Sequence, residues 1–217
     1  MMREMDFVDE CYADKDLSLL KKLTLVIPTY NRNYYLSRCL WYHAHFPFGE
    51  IIVADSSPDE TQVVHRETVQ KIREMFGANI RYLEYEPETE KYGRDIYRKW
   101  GDAVQHVETE YSQIVTDKEF LIPTTQVTLI GYLEIHDDYN TAGALEVHET
   151  ISHDKVKSMY KIETSKDYSQ NDPFERLNAC FNDYSGWHIL TAIRRTPFHK
   201  LLYADLEKYN LNDIRFG

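Results

Sequence analysis

The stretch YSQIVTDKEFLIP, Tyr111 to Pro123, decides how the rest of the chain is read. It opens as a short apolar run with a β-branched pair, Ile114 and Val115, and then breaks into Asp117-Lys118-Glu119. Phe120, Leu121 and Ile122 follow, and Pro123 stops the pairing. An apolar run of this length, bounded by such a break, predicts a buried strand. In open α/β sheets, ligands collect just outside the carboxyl ends of the strands. Two carboxylates one residue apart at such an end can converge on a hard cation, with phosphate oxygens completing the shell. A bare D-x-E is more often a solvated acidic turn, so its meaning rests on the surrounding chain.

Upstream, LTLVIP (23–28) is an apolar, β-branched run ended by Pro28, which predicts a first buried strand. Thr29 to Asn33 form a polar loop, and residues 34–45 carry apolar residues at helical spacing through Leu36, Cys39, Leu40 and His43. Residues 50–54 predict a second buried strand that ends at Asp55-Ser56. A charged amphipathic helix over 61–76 is closed by Gly77. A third strand is expected over 80–85, and a helix over 94–107 with a stripe through Ile96, Trp100, Ala103, Val104 and Val107. Strands and helices that alternate at this spacing specify a parallel, wound sheet, because parallel neighbours need a crossover helix.

Downstream the pattern is looser. A helix is expected over 124–136, strands over 142–148 and 155–162, and a helix over 174–184 capped by Asp172-Pro173. A further strand is expected over 189–193, and a last helix runs from Thr196 toward Leu211. Residues 1–22 read as a polar preface with a short helix capped by Asp16. Residues 23–217 read as one domain.

Composition excludes several function classes. The 217 residues carry a net charge of −11 with no basic block, which argues against DNA or RNA as a main partner. No apolar run approaches a membrane span, and the N-terminus has no secretory h-region. Cys11, Cys39 and Cys180 form neither a metal spacing nor an even disulfide frame, and a reducing cytoplasm is the expected location. No H-x-x-x-H, Walker A loop, G-x-S-x-G elbow or dinucleotide glycine fingerprint occurs.

Three segments in order, TLVIPTYNR, EIIVADSS and KWGDAVQHVETEYSQIVTDKEF, resemble the family 2-like glycosyltransferases of the GT-A-type fold. Within them the chain looks most like a branch with a D-D-D-F-type acidic turn. The resemblance runs from about Leu23 to Gly143 and is weaker through Arg195-Thr196. It implies an α/β, GT-A-type (Rossmann-like), mostly parallel wound sheet with helices on both faces. It also implies a nucleotide-sugar-binding half over 23–123 and an acceptor half over 124–217, in a domain expected to continue past Gly217.

The activity implied is transfer of a sugar from a nucleoside-diphosphate sugar to a hydroxyl acceptor, with inversion and metal assistance. The loop Pro28, Thr29, Tyr30, Asn31 and Arg32 would wrap the nucleobase and ribose. Asp55, with Ser56 beside it, would accept from the base edge; by its residues alone, Asp55 serves equally as a turn cap. Lys99 matches a basic family position and would neutralise diphosphate or orient the base contact, although a lone helix lysine is otherwise a solvated charge. Asp117 would contact ribose or metal, and Glu119 would hold a divalent cation, Mn²⁺ or Mg²⁺. Lys118, where the family has an acidic residue, lowers the local negative charge and weakens the case for that cation. Glu175, Asp183 and Asp213 are the candidates for the general base. A catalytically silent nucleotide-sugar or glycan-binding relative is the main alternative. A nucleotidyltransferase is the third reading, against which stands the absence of a glycine-rich basic loop after the first strand.

Overall fold

The computed structural model describes residues 11–87, 94–144, 146–152, 155–162, 170–172, 174–175, 178–179 and 191–208. The described chain forms two compact units, Met1–Ala142 with Ile193–Gly217, and Gly143–Ala192.

The first unit is built on β1 (Leu23–Thr29), buried at every position. Such burial on both faces needs helices above and below. β1 pairs in parallel with β2 (Glu50–Asp55) and β4 (Tyr111–Ile114), and β2 pairs in parallel with β3 (Ile80–Glu84). β8 (Ile193–Arg195) runs antiparallel to β4, and the short β5 (Thr141–Ala142) antiparallel to β8. The sheet order is therefore β3-β2-β1-β4-β8-β5. The α/β, mostly parallel wound sheet expected from the alternation is the one that forms.

Side-chain alternation divides the core between the two faces. Leu25 and Ile27 of β1 belong to a cluster with Leu36, Cys39 and Leu40 of α1 (Asn33–His43), Val69 and Ile72 of α2 (Asp59–Phe76), and Ile130 and Leu133 of α4 (Pro123–Ile135). Val26, between them, joins Ala103 and Val104 of α3 (Arg94–Gln105) and Tyr203 of α5 (Thr196–Lys208) on the opposite face. The period-2 strand thus feeds two helical layers. Gly77, at φ 64°, closes α2 in the left-handed conformation expected of it.

Several boundaries differ from the sequence reading for identifiable reasons. Pro28 does not end β1; the strand continues to Thr29. Val115 N donates to Val26 O, so Pro28 faces the side on which β4 has ended, and its missing N–H costs no ladder bond. Of the strand expected at 189–193, residues 189–190 lie outside the described residues, 191–192 are not strand, and β8 runs over Ile193–Arg195. The run expected at 142–148 divides between β5 and β6 (Glu146–Ser152), which lie in different units. In the second unit, β6 and β7 (Lys155–Ile162) make an antiparallel hairpin. Asp172 caps Phe174 N as expected, while most of the 174–184 helix lies outside the described residues.

The preface is tied into the first unit. Asp16 caps Ser18 N at 2.9 Å, and the following 3-10 turn (Ser18–Lys22) buries Leu20 in the main cluster. Among the described residues, no helix is long and apolar enough to cross a membrane.

Gly49, just before β2, donates its N–H to both Leu20 O and Leu23 O. A Cβ there would lie 2.3 Å from the Lys21 carbonyl oxygen and 2.8 Å from Thr109 Cγ2. The backbone neighbour cannot give way without moving the entry to β1. Gly49→Ala is expected to destabilise the chain by about 1–3 kcal/mol. A lowered urea midpoint at unchanged m-value is the measurement that checks this.

Candidate functional site

The chain steps outward from β1 to β2 and β3, then returns to place β4 on the other side of β1. This is a topological switch point, where the connections leave β1 and β4 in opposite directions and open a crevice at their carboxyl ends. The loop after β1, the end of β2 and the acidic turn after β4 all meet there.

Asp55 closes β2 in register with Thr29 of β1 and Glu84 of β3, and it is fully buried. One carboxylate oxygen accepts from Ser57 N and the Ser57 hydroxyl; the other accepts from His65 Nδ1 of α2 and the Tyr82 hydroxyl of β3. Burial alone would raise the Asp55 pKa, but the hydrogen bonds from His65, Ser57 and Tyr82 outweigh it and hold the carboxyl below its ordinary 3.8. The Ser57 hydroxyl passes the connection on by accepting from Asn31 N at 2.7 Å. Asn31 has φ 53°, a left-handed conformation that asparagine tolerates, and its side chain accepts from Thr61. The loop is therefore folded back onto β2 and α2.

Lys99 approaches from α3 on the opposite face. It is buried, and Nζ donates to Thr29 O at 3.1 Å and to Ser56 Oγ at 2.7 Å. This joins the ends of β1 and β2 from below. Tyr30, by contrast, is 42% exposed at the loop.

Asp117 completes the crevice from β4. It is buried, and its two oxygens accept from Thr29 Oγ1 at 2.9 Å and Arg32 Nη1 at 3.2 Å. The Glu119 carboxylate turns back to accept from Thr116 N at 2.8 Å, while Glu119 N donates to Thr116 O. Lys118 is exposed between them.

The turn is also held from beneath. Cys39 Sγ lies 3.9 Å from Thr116 O and 3.8 Å from Glu119 O. Burial first, then the Asp117 and Glu119 charges, push this thiol above its ordinary range, so it is a packed group and not a thiolate. Leu121 N donates to His43 Nε2 at 3.3 Å, and His43 Nδ1 lies 2.8 Å from Cys39 O. An amide can only donate and a carbonyl only accept, so the tautomer is fixed with the proton on Nδ1. Burial lowers the His43 pKa to about 4. Tyr42 adds a bond from its hydroxyl to Leu121 O at 2.8 Å.

The sequence-predicted residues Pro28, Thr29, Tyr30, Asn31, Arg32, Asp55, Ser56, Lys99, Asp117 and Glu119 are thus gathered at one end of the sheet. Glu175 is exposed and belongs to the second unit, and Asp183 and Asp213 lie outside the described residues. Ser57, His65, Tyr82, Cys39 and His43 take part without having been assigned a role from sequence. His65 was legible as a buried-face residue, since Gln62, His65, Val69 and Ile72 share one stripe of α2.

A divalent cation fits this arrangement poorly. Both Asp117 oxygens are engaged, and Glu119 accepts from the backbone of its own turn. Among the described residues, no three His, Cys, Asp or Glu side chains form a group able to hold a metal ion.

No family model matches the chain, and no curated protein matches it. Among solved structures it is similar to S. aureus TarS (1–349) in complex with UDP-GlcNAc, at TM-score 0.49 and 17% identity over 87% of this chain and 47% of that one. It is also similar to the mannosyltransferase PcManGT from Pyrobaculum calidifontis in complex with GDP-Man and Mn²⁺, at TM-score 0.45 and 21% identity over 55% and 34%. Mannosyl-3-phosphoglycerate synthase from Rubrobacter xylanophilus gives TM-score 0.39 and 16% identity over 61% and 44%. The chain spans less than half the length of each.

Two outcomes follow from the buried titratable groups. Asp55→Ala leaves four donors facing a cavity and is expected to cost about 3 kcal/mol or more of stability. Asp55→Asn costs less in the same denaturant titration, because its nitrogen can donate to Tyr82 once that hydroxyl rotates and to His65 once the imidazole takes its other tautomer. The second outcome concerns acid. Burial lowers His43 to about 4, and burial with the nearby Arg194 charge lowers His199 to about 3. Below the unfolded value of 6.5 the unfolded chain binds protons that the folded chain refuses, so stability falls as pH drops from 6.5 toward 4. His43→Gln keeps one donor and one acceptor without titrating. It should flatten the slope of unfolding free energy against pH in that window by about 1.4 kcal/mol per pH unit. Asp55, with its depressed pKa, contributes in full above about pH 4 and loses its contribution below it.

Proposed function

We propose that the chain is a glycosyltransferase of the GT-A type that moves a sugar from a nucleoside-diphosphate donor to a hydroxyl acceptor, in the cytoplasm. The observation that carries this reading is the tie between Asp117, in the turn after β4, and both Thr29, the last residue of β1, and Arg32 in the loop that follows it, across the switch point. A nucleotide bound there meets the exposed Tyr30 ring, which suits stacking on a base, and the backbone of the folded-back loop. A base N–H reaches Asp55 by displacing the Ser57 or Tyr82 hydroxyl; otherwise Asp55 acts by fixing the loop. Lys99 holds the two strand ends beneath the nucleotide.

In the proposed inverting reaction, the acceptor oxygen attacks the anomeric carbon as its bond to the β-phosphate oxygen breaks. The bonding pair leaves on the diphosphate, and the acceptor proton passes to a carboxylate base. Glu175, Asp183 and Asp213 remain the candidates for that base. Charge develops on the leaving diphosphate, so positive groups already fixed around it lower the barrier.

Calorimetric titration with UDP, GDP, CDP and dTDP tests the reading. One nucleotide is expected to bind, and Asp117→Ala, which releases both Thr29 and Arg32, should weaken it at least about tenfold, or 1.4 kcal/mol. Binding without transfer or hydrolysis of the matching nucleotide sugar would identify a silent relative instead. No binding of any of the four, with Mn²⁺ or without it, overturns the site.

A further inference from the structure

The acidic turn is electrically balanced by side chains. Asp117 and Glu119 contribute two negative charges, and Arg32 and Lys118 two positive ones, so this group of four is neutral. A turn that holds a hard divalent cation needs carboxylate oxygens that converge on one point and carry net negative charge, because ligand charge and geometry determine affinity. Here Asp117 is buried with one oxygen on the Thr29 hydroxyl and the other on the Arg32 guanidinium. One oxygen of Glu119 accepts from Thr116 N, the backbone of its own turn.

Arg32 itself is half-exposed. Of its five N–H donors it spends one nitrogen on Asp117, its face lies over the Tyr35 ring at 5.6 Å, and among the described residues Nε and Nη2 have no partner. The guanidinium is thus anchored on its inner side and open on its outer side. Lys118 is exposed and likewise unpartnered among the described residues. α1 begins immediately after Arg32 with no side-chain cap, which leaves its first-turn N–H groups as further positive partial charge.

We infer that Arg32, held in place by Asp117, supplies with Lys118 the counter-charge to the donor diphosphate, in the position that a divalent cation would otherwise fill. The inference rests on the proposed nucleotide site and names how that site meets the phosphates. Arg32 presents a planar, permanently charged fork that pairs with phosphate oxygens. Asp117 is then a positioning residue. Its charge is spent on orienting the guanidinium, and Lys118, the departure from the family pattern, becomes a phosphate ligand in its own right.

The test is calorimetry of the full chain with UDP, GDP, CDP and dTDP, each in excess EDTA and in Mn²⁺, together with Mn²⁺ alone. Whichever nucleotide binds is expected to bind within about threefold in the two buffers, and Mn²⁺ alone should give no saturable heat. Arg32→Gln keeps a neutral donor for Asp117 but removes the charge, and Lys118→Gln changes only an exposed side chain. Each should weaken the nucleotide about tenfold in EDTA while leaving the circular dichroism unchanged. Binding that vanishes in EDTA and returns with Mn²⁺ overturns the inference and leaves the proposed function standing. Absence of nucleotide binding in both buffers overturns the two together.

Discussion

A buried carboxylate with four donors sets the terms for the rest of the site. Asp55 has no access to water, so every donor that faces it must be matched, and every lone pair it carries must be used. The donors come from the turn at Ser57, from His65 on α2 and from Tyr82 on β3. Three elements are therefore fixed relative to the end of β2 by one group. Because Ser57 in turn accepts from Asn31 N, the loop after β1 is fixed as well. Partial satisfaction of such a network would cost more than an apolar core in its place, which makes it a device for specifying one geometry.

The acidic turn is held between two layers in the same manner. Thr29 and Arg32 grip Asp117 from the loop, while Cys39, Tyr42 and His43 of α1 hold Thr116, Glu119 and Leu121 by their backbone groups. Both grips originate in the segment that runs from the end of β1 into α1. That segment thus links the end of β2 to the turn after β4, and any ligand in the crevice meets a surface whose backbone is already positioned. Phe120 lies over His43 with rings nearly parallel, and Arg38 sits against both Tyr34 and Phe120. The outer rim is therefore aromatic and cationic, although the chain as a whole is acidic.

Much of this was legible beforehand where a local rule applied. The strands over 23–28 and 50–54 were readable because fully buried β-branched runs leave few alternatives, the strand over 80–85 because apolar and polar residues alternate in it, and Gly77 because glycine takes the left-handed conformation that closes many helices. The hairpin strand at 155–162 was placed to the residue. The structure departs from the local pattern where the decisive fact is a neighbour. Pro28 continues β1 because β4 ends opposite Val26, two residues earlier, and the last sheet strand sits at Ile193–Arg195 because that is where Tyr111 and Ser112 are available to pair. No local pattern carries either fact.

The sequence by itself determined the order of elements, the parallel winding and the set of polar residues at the carboxyl ends of the strands, since periodicity and turn chemistry act over a few residues. The tertiary structure alone decided what those residues do to each other. Thr29 and Asp117 are far apart in the chain, and so are Lys99 and Ser56, yet each pair shares a hydrogen bond. Asp55 and Asp117 look alike as carboxylates after strands. One is closed over by a serine, a histidine and a tyrosine, and the other anchors a half-exposed arginine. The difference comes from which donors the wound sheet carries to each strand end, and hydrogen bonds made across that distance leave no trace in local sequence.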